Sequence, residues 1–95
     1  MAKFLMLGKY SAEAMKEISP ERTEIGTSII RKHGGNLVEA LILLGDYDVA
    51  LYVELPGISE AIQVSVALNK FMGISFQTYP AITVAEFDKM LPVTL

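Results

Sequence analysis

Apolar residues along this chain recur first with a period of two, then with a period of three to four, then with two again, and these switches predict the order of elements. Lys3 to Leu7 predicts a strand in which Phe4 and Met6 point one way and Leu5 and Leu7 the other, so it is apolar on both faces and belongs inside a sheet. Ser11 is a good N-cap, and a short helix is expected over Ala12 to Ile18, with Ala14, Met15 and Ile18 turned to the core. Ser19-Pro20 restarts the chain, since serine caps and proline suits the first helical position, and a second helix is expected from Pro20 to about His33 with Ile25 and Ile29 inward. Gly26 within it costs about 1 kcal/mol relative to alanine, which implies either the close approach of a neighbouring backbone or a kink. Arg31-Lys32-His33 complements the negative end of the helix dipole, and Gly34-Gly35 stops the helix.

The stretch from Asn36 to Leu55 reads as a β-hairpin. Gly45-Asp46 lies between two apolar runs, and glycine at the first position of a two-residue turn suits type II′. That turn sets Leu44 opposite Tyr47, Ile42 opposite Val49, Ala40 opposite Leu51 and Val38 opposite Val53, a wholly apolar face. The other face pairs Leu43 with Asp48, Leu41 with Ala50, Glu39 with Tyr52 and Leu37 with Glu54, mixing hydrocarbon with carboxylates and a phenol. An antiparallel sheet normally wets its second side, so leucines there imply a cover, and a second copy of the chain is the expected one. Pro56-Gly57 ends the hairpin, Ser59 is expected to cap a helix running to Met72, and Ala61, Val64, Leu68, Phe71 and Met72 form its apolar arc. Ile74 to Ala81 is the fourth strand, placed at an edge or a bulge by Pro80. Thr83 and Glu86 make a capping box, with Ile82 and Phe87 as its staple, for a last helix to about Met90.

The order β, α, β, β, α, β with a terminal helix predicts an α+β domain with a ferredoxin-like βαββαβ sheet, both crossover helices on one face and the other face bare. The chain has 95 residues, a single-domain length that buries roughly 60 to 65 per cent of its unfolded surface. A hydrophobic fraction of 52% with mean hydropathy +0.40 is high for so small a domain and again points to self-association.

Leu44 to Glu54, reading LGDYDVALYVE, resembles the hallmark stretch of the GYD domain family, with Gly45, Tyr47 and Asp48 as the motif. The resemblance extends to Leu7-Gly8-Lys9-Tyr10, to Ser19-Pro20 followed by Arg22, to Gly34-Gly35 and to Ala81 through Glu86, and departs at Pro56-Gly57-Ile58, where an acidic residue is expected after the proline. It implies a dimeric α+β barrel, in which two such sheets pack face to face, and no established activity.

Composition narrows the function further. The net charge is −3 with eight basic residues scattered along the chain, which provides no footprint for a phosphate backbone, so nucleic acid is not an expected partner. The absence of cysteine removes disulfides, thiolate nucleophiles and cysteine-held clusters and suits a reducing compartment. The N-terminal residues run into a strand rather than a signal-peptide pattern, and the longest apolar stretch is interrupted by Glu39, Asp46 and Asp48, so a cytoplasmic protein with no membrane partner is expected. There is no phosphate-cradling glycine pattern, no paired ligands at metal spacing and no nucleophile elbow, and neither cofactor nor metal is expected.

Four residues stand as candidates for a pocket. Tyr10 and Arg22 flank the helical crossover, where a phenol and a guanidinium suit a small anionic or carbonyl-containing ligand; their simpler roles are closing the core and pairing with a glutamate. His33 is the one side chain with an unperturbed pKa near neutrality, though its place in a basic last turn is already accounted for by the dipole. Asp48 shares its strand face with Glu39, Glu54 and Tyr52, a set of oxygen donors suited to a hard cation, and the simpler role is in the turn. Three functions stay open: a small homo-oligomeric ligand-binding or accessory protein, a cofactor-independent enzyme like those of other α+β barrels, and a purely structural module.

Overall fold

In the computed structural model, which describes residues 1–93, the alternating signals become one antiparallel sheet with the helices Pro20–Lys32 and Ile58–Met72 packed on one face. The elements are β1 (Ala2–Tyr10), α1 (Ala12–Lys16), α2 (Pro20–Lys32), β2 (Asn36–Ile42), β3 (Val49–Leu55), α3 (Ile58–Met72), β4 (Ile74–Ala81) and α4 (Val84–Asp88). The strands lie in the order β2-β3-β1-β4, every neighbouring pair antiparallel. Two parallel strands connected through helices therefore each have another strand between them. This is an α+β fold consistent with the ferredoxin-like arrangement expected from the element order.

The core lies between the sheet and the helices. Phe4 and Met6 of β1, Val49, Val53 and Leu55 of β3 and Ile74 of β4 meet Ile30 of α2 and Ala61, Val64, Leu68 and Met72 of α3. Each large side chain buried this way contributes about 1.5–3 kcal/mol. The helices start and stop where local chemistry directs. The Ser11 and Ser19 hydroxyls accept from the Ala14 and Arg22 amides, and Thr83 with Glu86 forms a complete capping box. At the end of α2, Gly34 (φ +82°) lets its own amide reach the Arg31 carbonyl and the Gly35 amide reach that of Ile30, a Schellman motif.

Tertiary packing revised several expectations. The hairpin does not use a two-residue turn: Gly45 takes φ +159° rather than the roughly +60° of a type II′ turn, and the loop closes where the Leu43 amide donates to the Asp48 carbonyl. Leu41–Ala50, Ala40–Leu51, Ile42–Val49 and Glu39–Tyr52 pair as the register requires, but a bulge between Leu37 and Glu39 then shifts Leu37 opposite Val53 instead of Glu54. One extra residue is enough, because strand faces alternate with a period of two. Helix α1 ends at Lys16, short of Ile18; only its Ala14 is buried, and Met15 and Ile18 are exposed. On α2 Ile30 is buried and Ile29 packs against the core as expected, while Ile25 faces out. Helix α3 begins at Ile58 behind Gly57, with no side-chain cap from Ser59, and Phe71 lies outside the core beneath the Lys70 ammonium.

Candidate functional site

The inward stripe of α2 reads Arg22, Gly26, Ile30 at four-residue spacing, with Thr23 and Thr27 beside it. Such a stripe is too small and too polar to fill the space over β2 and β3, so the helix stands off the sheet. The result is a cleft of about 210 Å³, larger than the roughly 150 Å³ apolar cavity that accommodates a benzene ring. Its roof is α2, its back wall Leu68 and Met72 of α3, and its floor Leu37, Ala40, Val49, Leu51, Ile74 and Phe76 of the sheet. Gly8 shapes this floor: a Cβ there would fall 2.5 Å from Phe76 Cε1 and 2.9 Å from Val49 Cγ1, so only glycine lets the Phe76 ring close over β1. The mouth lies at the hairpin, where Leu41 and Ile42 are exposed.

Gly26 faces this cleft. The atoms closest to a Cβ built on it are Met72 Sδ at 3.4 Å and Met72 Cε at 3.7 Å, side chain rather than the neighbouring backbone its position in the helix suggested.

Polar groups concentrate at one end. Tyr10 and Arg22 line the cleft and also a cavity of about 30 Å³ beside it, room for about one water. Arg22 is half-buried; its Nη2 donates to the Met72 carbonyl at 2.7 Å, and Nη1 lies 3.5 Å from the exposed Glu17 carboxylate. Burial and the Asp48 carboxylate push the Tyr10 phenol above its usual pKa, with Arg22 pulling the other way, so the hydroxyl is a neutral donor at physiological pH. The Thr23 and Thr27 hydroxyls donate to the Ser19 and Thr23 carbonyls four residues back.

The four candidates thus separate. Tyr10 and Arg22 meet at the cleft. Asp48 stands behind them, its Oδ2 accepting the Tyr10 amide at 3.0 Å and its own amide donating to the Gly8 carbonyl. His33 is elsewhere, at the C-cap of α2, with Nδ1 2.8 Å from the Ile29 carbonyl. Gly26, Leu51 and Met72 were not singled out from the sequence as cleft residues; the signal was the small and polar stripe on α2.

The glycine-tyrosine-aspartate motif is a strap rather than a pocket. Tyr47 passes beneath the Lys9 ammonium, 5.7 Å from its ring centroid, and its hydroxyl donates to Gln77 Oε1 at 2.7 Å on β4. Together with Asp48, which holds the Tyr10 amide and the Gly8 carbonyl of β1, it ties the hairpin loop to the rest of the sheet. On the face away from the helices lie Lys3, Leu5, Leu7 and Lys9 of β1, Ala50, Tyr52 and Glu54 of β3, and Gln77 and Tyr79 of β4, a surface with Leu5 and Tyr79 exposed. Among the described residues no three histidine, aspartate or glutamate side chains are grouped to hold a metal ion, and no helix is long and apolar enough to cross a membrane.

Sheet, helix layer and cleft define a small α+β domain with a single-sided helical cover and an apolar pocket beneath it. Residues 4–91 match the family model of the GYD domain, and the chain belongs to that family. No curated protein and no solved structure gives a significant match.

Proposed function

We propose that this is a small homo-oligomeric ligand-binding protein that takes one compact, mostly apolar molecule into the cleft beneath α2. The observation that carries this reading is the cleft itself, apolar over most of its wall, with Tyr10 and Arg22 at one end and the Thr23 and Thr27 hydroxyls beside them, the usual constitution of a small-molecule site. An enzyme handling protons also needs an acceptor at the reacting atoms. No aspartate, glutamate or histidine lines the cleft, so binding precedes catalysis as a reading.

Self-association is supported by area. A 10.4 kDa chain exposing 6502 Å² carries about 1,000 Å² more than the roughly 5,400 Å² expected of a monomer of that mass, and a standard interface covers about 800 Å² per partner. The open sheet face, with its leucines and tyrosines, is the surface proposed to pack against a second copy, giving the dimeric α+β barrel. The cysteine-free composition supports placing the protein in the cytoplasm.

Native mass spectrometry of the protein purified gently from its own cells tests both parts. An even-numbered oligomer with a fixed additional mass is expected. A monomer overturns the assembly, and an oligomer whose cleft resonances are unmoved by any small apolar compound overturns the binding function in favour of a structural module.

A further inference from the structure

The polar end of the cleft offers donors that already have carboxylates nearby. Of five guanidinium N–H groups, Arg22 gives one to the Met72 carbonyl, and the exposed Glu17 carboxylate lies 3.5 Å from Nη1. Asp48 sits behind Tyr10, held by the Tyr10 amide. The Tyr10 hydroxyl has no partner among the hydrogen bonds of the described residues, and the neighbouring threonine hydroxyls are already donating along α2. A ligand here meets the Tyr10 phenolic O–H and the remaining guanidinium N–H groups as donors, while the Thr23 and Thr27 hydroxyls, whose protons are already used, offer only lone pairs; two carboxylates lie close by.

Resting on the binding function above, we propose that the cleft selects neutral carbonyl compounds: a compact apolar body bearing one ketone, amide or ester oxygen, which accepts from Tyr10 and Arg22. A neutral oxygen uses both donors at little desolvation cost. A carboxylate of the same shape must give up its hydration in an apolar cleft, which costs far more for a charge than for a neutral polar group, and it meets the Glu17 carboxylate beside Arg22 and the Asp48 carboxylate behind Tyr10. The apolar body lies between Gly26 and Leu51, against Ile30 and Leu68, where the missing Gly26 side chain leaves the space.

The test is an NMR titration of the oligomeric protein with acetophenone, benzoate and ethylbenzene, which are close in size and differ in the group at one end. Acetophenone is expected to shift the Ile30, Leu51 and Leu68 methyl resonances and to bind at least tenfold more tightly than benzoate. Tyr10→Phe, which keeps the ring, is expected to weaken acetophenone about two- to tenfold, the worth of one hydrogen bond, and to leave ethylbenzene unchanged. Arg22→Lys, with circular dichroism confirming its fold, is expected to weaken acetophenone as well. Benzoate binding as tightly as acetophenone, or Tyr10→Phe shifting acetophenone and ethylbenzene equally, overturns the carbonyl preference while the binding function stands. Cleft methyls unmoved by all three compounds overturn both.

Discussion

Gly26→Ala is the substitution that most directly probes how the cleft arises. Glycine in a helix interior is about 1 kcal/mol worse than alanine, so the residue costs stability where it stands. An added Cβ would lie 3.4 Å from Met72 Sδ and 3.9 Å from Leu68 Cδ2, ordinary contact distances with a side chain flexible enough to adjust. The variant is therefore expected to gain about 1 kcal/mol, which for a domain near 100 residues raises Tm by about 4–8 °C. The same methyl occupies about the volume of one water, ~30 Å³, inside the cleft, and crowding of that kind is expected to weaken acetophenone by about fivefold or more. Thermal unfolding followed by far-ultraviolet circular dichroism, at equal protein concentration because assembly adds to stability, gives the first number and titration the second. Gly35→Ala is the contrast: its Cβ would fall 2.4 Å from the Glu54 carbonyl oxygen, a fixed backbone atom, and a loss of about 1–3 kcal/mol is expected. A Gly26→Ala protein that melts at or below the parent temperature refutes the reading that the Met72 side chain leaves room for a methyl on Gly26.

Three further outcomes follow from other parts of the molecule. Leu5→Glu, on the open face, is expected to break the oligomer into monomers of unchanged far-ultraviolet spectrum, and a variant that keeps the parent mass in sedimentation places the interface elsewhere. The Tyr10 phenol, raised by burial and Asp48, favours the fold below its ordinary pKa, and this contribution is lost as pH rises through the folded value; in titrations of the labelled ring, Arg22→Gln is expected to raise its midpoint further and Asp48→Asn to lower it. Glu86 is held at about pKa 2, from 4.5, first by the hydrogen bond from Lys3 and then by Thr83, so its contribution is complete above pH 4.5 and disappears as pH falls through about 2; Lys3→Met is expected to raise the midpoint in carboxyl-carbon NMR without restoring the ordinary value.

Where structure is local, the residues already specified it. Val49–Leu55 forms the strand that its alternation requires, Ser11, Ser19 and Thr83 cap the helices they precede, and Gly34-Gly35 ends α2 through its own amides. Each depends on a side chain and backbone groups a few positions away, and such short-range chemistry is written in the order of residues. Pro80, unable to donate to a ladder, falls on the edge strand β4 for the same reason.

The cleft depended on distance in the chain. Arg22 reaches the Met72 carbonyl, and Asp48 reaches the Tyr10 amide 38 positions away; no period or spacing announces either pair. Counting only apolar residues on α2 selected Ile25 and Ile29 as its inner face; Ile29 does pack against the core, but Ile25 faces out and the helix turns Arg22, Gly26 and Ile30 toward the cleft. The bulge at Val38 had the same origin, since pairing β2 with β3 set where one residue had to be left over. Sequence by itself determined the elements, the caps at Ser11, Ser19 and Thr83, the α+β class and the family motif, because these follow from local backbone and side-chain preferences. Only the tertiary structure decided which side of α2 faces the sheet, and with it the existence of a cleft, because an empty volume is a property of three packed elements and belongs to no one of them.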